Sequence, residues 1–485
     1  MVRGSAAVSE CKNDKGFRVD FNHPCRVHFM GIGGISMSSL ARFLVTKGFR
    51  VSGSDKMEDK ITLSLRELGV PIAIGQKPEN ITDDIDFCVH TAAVHPDNPE
   101  YMEAARRGLP ILTRAQLLGQ MMAQYPDSYG IAGTDGKTTT TGMVTGILLA
   151  AETDPTVSIG GLLESIGGNL RIGQSDYFVA EACEYTNSYH EMFPRVGIIL
   201  NVREDHLDFF GTMENIRRSF RRYAENVDPE GVLIVESDIE NLEEITEGLE
   251  CRVVTVGKDP KDDYSARNIE STKLGLGRFD FYKGDECLGR IALDVPGDHN
   301  VTNALAAGAA CLEDGIPFEA VKRGLEGFKG VHRRFEKRGI LREDIVVMDD
   351  FGHNPEEILA TWKVASRYPY RLTCIFQPYT YSRTRDSFDD FVDVLSHYDR
   401  VVISDIMPAR ETDSLGMHSS QLVDALTARG VEAYYIPTFD AIVKFLLKNS
   451  VNGDLLITTG CGNVDLVADA LVASDLCTSS TAKSL

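Results

Sequence analysis

Residues Tyr129–Gly142 read YGIAGTDGKTTTTG. An apolar run ends at Gly133, two residues separate it from Gly136, and Lys137 opens a threonine-rich helix pattern. These residue types suit a nucleoside triphosphate. Backbone N–H groups of Gly133, Thr134, Asp135 and Gly136 face phosphate oxygens at a helix N-terminus. Lys137 neutralises charge on the β/γ oxygens, and Thr138, followed by Thr139, offers a hydroxyl to Mg²⁺. A Walker A loop has four residues between its glycines; this one has two, but keeps the strand before and the helix after. Asp135 puts a carboxylate beside a loop built for anions. The helix dipole favours that carboxylate by about 0.3–1 kcal/mol, while a bound triphosphate opposes it. It could point away from the phosphates, cap the helix or reach a Mg²⁺-bound water; we expect the metal shell to accommodate it.

Mg²⁺ takes hard oxygen ligands. Glu181 ends the strand-like run YFVAEA, and a strand C-terminus beside the loop is where a ligand belongs. His206 follows a second such run in IILNVREDHLD and is the other candidate.

A second glycine turn precedes these. RVHFMGIGGISMSSLA places Gly31 and Gly33 between a strand and a helix, with Ser36 at the third glycine position. Gly31 permits the tight turn and Gly33 lets the backbone approach a phosphate. Asp55 ends the next strand, where an acid would meet a ribose. The ligand could be NAD or a diphosphate-linked nucleotide such as a UDP-sugar, and a ligand-free turn is the plain alternative.

These motifs need parallel sheets to carry them. Continuous apolar runs, among them DFCVH, VGIILN, GVLIV, DIVVMDD, RLTCIF, RVVISD and DLLITTG, read as strands buried on both faces. Helix-like segments between them imply βαβ units. The fold class is therefore α/β throughout, with three domains, each an open, mostly parallel sheet with flanking helices. Boundaries are expected at 21–125, 126–328 and 329–472, with 1–20 and 473–485 as mobile tails. The 485 residues, 43% of them apolar, suit about three soluble domains. No apolar run reaches membrane-spanning length and the N-terminus has no secretory h-region, so a cytoplasmic protein is expected. The net charge of −22 argues against nucleic acid and anionic lipid as partners. Ten cysteines without a C-x-x-C pair read as free thiols rather than a zinc site.

The motifs GTDGKTTTT, EACE, NVREDHLD, GDHNVTNALAA, GVHRRFE and DDFGHNPEEI occur in the order found in the Mur ligases, which this chain resembles over about residues 25–470. The N-terminal HFMGIGGISMSSLA and VSGSD, with QPYTYSRT, are similar to the L-alanine-adding branch. The resemblance implies a Rossmann-like UDP-sugar domain using Gly31, Gly33 and Asp55, a central P-loop ATP domain, and a Rossmann-like third domain that binds the amino acid and closes on ATP. It implies ATP-dependent joining of L-alanine to the lactyl carboxylate of UDP-N-acetylmuramate through an acyl phosphate, in peptidoglycan precursor synthesis, by a monomer or weak homodimer. Lys137 would clamp phosphates, Thr138 and Glu181 would hold one Mg²⁺, and His206 a second. Asn300 would contact adenine, and Arg334 and Asp350 would meet ATP on closure. His353 and Arg383 would line the amino-acid pocket. Four positions depart from that branch, which usually has His at Asp135, Asn354 and Tyr379 and Asp at Asn463. They leave open a paralogue that adds another amine or peptide, or one that binds ATP without catalysis. The region after DHLD has no Lys for carbamylation, as expected for this branch.

Overall fold

The computed structural model describes residues 16–272, 275–409, 411 and 413–482. Three sheets follow one another along the chain. The first has β1 (Arg26–Met30), β2 (Arg50–Asp55), β3 (Ile72–Ile74), β4 (Phe87–His90) and β5 (Ile111–Thr113), ordered β3-β2-β1-β4-β5 with every neighbour parallel. The chain moves outward from β1 in one direction and then restarts at β4, leaving a switch point between them. Ligands of open α/β sheets bind beyond the strand C-termini at such points.

The central sheet has ten strands: β6 (Asp127–Ala132), β7 (Thr156–Leu163), β8 (Gly168–Arg171), β9 (Tyr177–Glu181), β10 (Val196–Ile199), β11 (Val232–Glu236), β12 (Arg252–Gly257), β13 (Tyr264–Ser271), β14 (Leu276–Lys283) and β15 (Glu286–Pro296). Their order is β15-β14-β13-β12-β11-β10-β6-β9-β7-β8. β6 therefore lies between β9 and β10, both parallel to it. The third sheet has β16 (Glu336–Leu341), β17 (Ile345–Asp350), β18 (Arg371–Phe376), β19 (Arg400–Ile403), β20 (Glu432–Tyr435) and β21 (Asp454–Thr459), in the order β16-β17-β21-β18-β19-β20. Only β16 departs from the parallel direction there, pairing antiparallel with β17.

Burial explains why the central strands read as unbroken apolar runs. Every residue of β10, β19 and β21 is buried, because helices cover both faces. One apolar core links the first two sheets, running from Val27, Phe29 and Phe43 through Leu117 and Met121 to Tyr189, Phe220 and Tyr223. The three sheets fall into two compact units, the first sheet sharing its unit with much of the second. One reaches to Asn268 and includes Phe279–Ile291 and Thr302–Gly327; the other comprises Ile269–Arg278, Ala292–Val301 and the chain from Phe328. Within the first unit, helix Arg114–Met122 lies so close to segment Tyr185–Glu191 that a Cβ on Gly119 would stand 1.8 Å from the Glu191 carbonyl oxygen.

The expected tails need correction. Residues 1–15 lie outside the described residues, but 16–20 are packed. The Val19 N–H donates to Gln120 Oε1 at 2.7 Å, Gln120 Nε2 donates to the Phe17 carbonyl, and the Phe17 ring lies 5.4 Å from that of Phe87. At the other end, helix Asp465–Ala482 continues through most of the expected tail, and only 483–485 lie outside the described backbone. The N-terminal segment has packing partners that a reading of polar composition overlooks. The eight described cysteines are free, and no described helix is long and apolar enough to cross a membrane.

Candidate functional site

The loop after β6 is shaped by two glycines with left-handed backbone, Gly133 (φ +145°) and Gly136 (φ +84°). Gly136 caps helix Lys137–Ala150, and a Cβ there would come 2.8 Å from Asn303 Oδ1. Lys137 folds back over the loop. Its Nζ donates to the carbonyls of Gly133 (2.7 Å) and Thr134 (2.9 Å) and to Glu184 Oε1 (3.0 Å). Three acceptors thus hold the three donors of one ammonium. Thr138 and Thr139 follow in the first turn of the helix.

Strand register brings the rest together. Ile131 pairs with Glu181 on β9, and Ala132 pairs with Ile199 on β10. The C-termini of β9 and β10 therefore flank the loop at the same level. Beyond β9 the chain turns sharply: Thr186 and Asn187 both adopt positive φ, at 54° and 58°. A β-branched residue in that region is strained, and such strain gathers at functional sites. The turn places Glu184, only 3% exposed, against Lys137 and 3.9 Å from His206 Nε2. His206, itself at φ +50°, follows β10 and lies 3.6 Å from Asp205 Oδ2, with its ring 4.6 Å from that of Tyr185. One ligand atom from each of Glu184, Asp205 and His206 lies within 4.8 Å of the others, the only such group among the described residues. Two hard oxygens and an imidazole nitrogen form a donor set that a divalent cation accepts.

Glu181 ends β9 as expected, but its Oε1 accepts the Gly160 N–H at 2.8 Å and it is not part of that cluster. Glu184 and Asp205 were passed over in the sequence. Their signal was the second acid of EACE and the acid before His206, each adjacent to a residue already singled out.

Asp135 answers differently from the expectation of a place in the metal shell. Its carboxylate lies 3.5 Å from the Arg203 guanidinium, both side chains about two-thirds exposed, and it is not part of the cluster. The Asp135 backbone N–H donates to Asn201 Oδ1 at 2.8 Å, and Asn201 Nδ2 donates back to the Asp135 carbonyl. The loop is thus laced to the β10 end through its backbone, and the Asp135 side chain is left facing solvent.

At the first glycine turn, Gly31 has φ +81°, and the N–H groups of Gly31 and Ile32 both donate to the Ser54 carbonyl at 2.9 Å. Asp55 Oδ2 accepts the Gly33 N–H at 2.8 Å. The acid expected to meet a ribose therefore stands at the turn.

In the second unit, Asn300 donates from Nδ2 to the Pro296 carbonyl at 2.7 Å and is buried. Its neighbour Asn303, in the first unit, is the asparagine packed against Gly136. Arg334 is exposed; the adjacent Arg333 is buried instead, bonding Asp349 at 2.9 Å and the Gly462 carbonyl at 2.8 Å. Burial pushes the Asp349 carboxyl above its usual range although Arg333 opposes this. Asp350 accepts from the Phe335 N–H, the Gly352 N–H and Thr361 Oγ1, so it fixes the turn that presents Arg334. His353 Nδ1 lies 3.0 Å from Glu357, and its ring meets that of Tyr379 edge-on at 6.4 Å. Burial raises the Glu357 pKa, but hydrogen bonds from His353 outweigh it and hold the carboxylate below its ordinary value. The Arg383 guanidinium lies 5.8 Å over the Tyr379 ring, and its Nη1 is buried without a hydrogen-bond partner among the described residues. Leaving such a donor unpaired costs about 1–3 kcal/mol, which a ligand carboxylate could recover. Asn354 caps helix Pro355–Ala365 by accepting the Glu357 N–H.

Comparison with known proteins covers nearly the whole chain. The Mur ligase family catalytic domain matches residues 26–126, the Mur ligase middle domain 131–311, and the Mur ligase glutamate ligase domain 333–462. The UDP-N-acetylmuramate–L-alanine ligase of Lachnospira eligens is 50% identical over 458 residues, covering 94% of this chain and all of that one. That of Agathobacter rectalis is 48% identical over 457 residues, covering 94% and 99%. Among solved structures, the UDP-N-acetylmuramate–alanine ligase of Thermotoga maritima superposes with a TM-score of 0.71 at 29% identity, covering 94% of this chain and all of that one. A murein peptide ligase from Psychrobacter arcticus shares the fold, with a TM-score of 0.64 at 23% identity, covering 93% and 98%.

Proposed function

The chain belongs to the Mur ligase family, and from that premise we propose that it joins L-alanine to the lactyl carboxylate of UDP-N-acetylmuramate at the expense of ATP. The observation that carries the chemistry is the meeting of Lys137 with Glu184, Asp205 and His206 at the C-termini of β6, β9 and β10. The choice of amine draws on the relatives of that name, which match end to end. The departures at Asp135 and Asn354 take local structural roles, an exposed ion pair and a helix cap.

In this reading the substrate carboxylate attacks the γ-phosphorus of ATP, ADP leaves, and an acyl phosphate forms. The amine of L-alanine then attacks the acyl carbon, the tetrahedral adduct collapses, and amide and inorganic phosphate are released. Two anions must meet in the first step, so positioning and cationic groups supply the catalysis and no protein nucleophile is required. Lys137 exchanges its loop carbonyls and Glu184 for phosphate oxygens. Thr138 and Glu181 would hold one Mg²⁺, and His206, with Glu184 and Asp205, a second. When bound, Mg²⁺ neutralises charge on the phosphates and the carboxylate. Asn303 keeps the loop seated at Gly136, while Asn300 contacts adenine. Arg334, presented by the turn that Asp350 fixes, reaches ATP on domain closure. Arg383 takes the α-carboxylate of alanine with His353 beside it. The UDP-sugar lies on the first glycine turn, its phosphates on Gly31 and Gly33 and its ribose on Asp55.

Phosphate release from ATP, measured with UDP-N-acetylmuramate and a panel of amino acids, tests the proposal. Release that depends on L-alanine supports it. Release with another amine only moves the chain to a sister activity, and none with any amine rejects the ligase reading.

A further inference from the structure

Beneath the first glycine turn lies a carboxylate that the reaction does not use. Glu100, in the first turn of helix Pro99–Arg106, is fully buried, as is Ser54, and His28 is 2% exposed. An ionised carboxylate leaves water at a cost of several kcal/mol unless partners satisfy it, so its partners define what it holds. Ser54 Oγ donates to Glu100 Oε2 at 2.5 Å, Asn80 Nδ2 donates to Oε1 at 2.5 Å, and His28 Nε2 lies 3.8 Å from Oε1. Asn98 caps the same helix and accepts the Glu100 N–H at 3.0 Å, and the helix dipole favours a negative charge there.

The two hydrogen-bond donors to its carboxylate both lead to the turn. The Ser54 carbonyl accepts both the Gly31 and Ile32 N–H groups, so the residue gripped by Glu100 through its side chain anchors the turn through its backbone. Ser54 also directly precedes Asp55. The second route runs through Asn80, whose Nδ2 also donates to the Gly75 carbonyl at 3.0 Å, while the Gly75 N–H donates to the Asp55 carbonyl at 2.8 Å. Asp55 is thus held on both sides by hydrogen bonds that converge on one buried carboxylate, and its own carboxylate then meets Gly33.

We propose that Glu100 is a positioning residue for the UDP moiety: through Ser54 and Asn80 it sets the glycine turn and Asp55 in the geometry that receives diphosphate and ribose. The inference rests on the reading of this turn as the UDP-sugar site. Glu100 touches no substrate atom and acts through the two residues it holds. A carboxylate suits the task because it offers a separate acceptor oxygen to each of the two donors, whereas an amide offers only one oxygen.

The test uses the full chain, with UDP as the titrated probe and KM values for UDP-N-acetylmuramate and ATP read in parallel. Glu100→Ala weakens UDP binding by about tenfold or more, the scale of one lost charge-assisted hydrogen bond. Ser54→Ala, which deletes one hydroxyl and keeps the carbonyl, weakens it by a smaller factor. Glu100→Gln, retaining one acceptor, recovers part of the loss. The KM for the UDP-sugar rises without a matching rise for ATP. Wild type that binds UDP no better than do Ser54→Ala and a folded Glu100→Ala overturns the inference, as does an equal rise in both KM values. Wild type that fails to bind UDP rejects the reading of the turn and the inference with it. Should Glu100→Ala not fold, Ser54→Ala decides.

Discussion

Two loops in this molecule have the same plan, strand then glycine turn then helix, and opposite electrostatics. At the first turn an acid, Asp55, accepts a loop N–H from Gly33. At the second a base, Lys137, donates to the loop carbonyls of Gly133 and Thr134. Helix N-termini give both an affinity for phosphate. The side chain added beside each turn decides the rest: a carboxylate offers acceptors to the hydroxyls of a ribose, and an ammonium offers charge to the terminal phosphates of a triphosphate. The supports differ as well. The acid beneath the first turn, Glu100, binds hydroxyl and amide donors and is a fixed brace, whereas Glu184 beside the second pairs directly with the lysine and lies within reach of His206. In the proposed reading the first region holds a ligand still, and the second hands a cationic group from the protein to the substrate.

Removing the charge of each loop should break the comparison most sharply. Lys137→Ala lowers turnover by at least about 10²-fold, the scale of losing one preorganised electrostatic donor, while UDP binding stays intact. Near-normal phosphate release in that variant would overturn the assignment of Lys137. Asp55→Ala should have the mirror effect, raising the KM for UDP-N-acetylmuramate by about tenfold, as loss of charge-assisted hydrogen bonds does, and leaving the KM for ATP unchanged. Equal changes in the two KM values would mean that the two loops do not work independently.

Acid pH should weaken the surroundings of both loops. His90 lies beside Thr91, whose methyl faces Gly31, and His190 is at the end of the strained segment that carries Glu184. Burial lowers the pKa of each below the ordinary value of 6.5, hydrogen bonds to backbone carbonyls notwithstanding. The unfolded chain therefore binds more protons between the folded pKa and 6.5. Stability is fully present above 6.5 and is lost as pH falls through the folded values. Thermal melts between pH 7.5 and 5.5 should show a falling Tm, and His190→Gln should flatten the slope; an unchanged slope would remove His190 from the account. The smallest effect is expected at Asp135→Ala. Its pairing with Arg203 is exposed, and such pairs contribute about 0–1 kcal/mol. A KM for ATP within about twofold of wild type fits that range, and a tenfold change would return Asp135 to the phosphates.

Buried parallel strands were legible because burial on both faces leaves no polar alternation; β10 is entirely apolar or small, β19 and β21 each hold an unbroken apolar run, and all three are entirely buried. The hairpin of β7 and β8 was not. Its two strands pair antiparallel with a shift in register, carry Gly160 and Gly161, and lie partly exposed, so neither an apolar run nor a clean alternation marks them. The segment before β1 was misread for a related reason: Phe17 and Val19 are two apolar residues in a polar stretch, and only their contacts with Gln120 and Phe87 make them structural.

By itself, the sequence determined the two glycine turns, the lysine, the acid that ends β2 and the histidine after β10, because each is fixed by residues within a few positions of it along the chain. It also determined the family, through motifs strung in order over most of its length. Tertiary structure alone decided which carboxylates converge. Glu181 and Glu184 are three residues apart, yet one meets a backbone N–H on β7 and the other meets Lys137, because the chain reverses at Thr186 and Asn187. The same holds for Glu100, whose role is invisible until β1, β2 and the loops after β3 close around it. A side chain's direction depends on the backbone beneath it and on what the rest of the fold leaves open, and neither is a property of its neighbours in sequence.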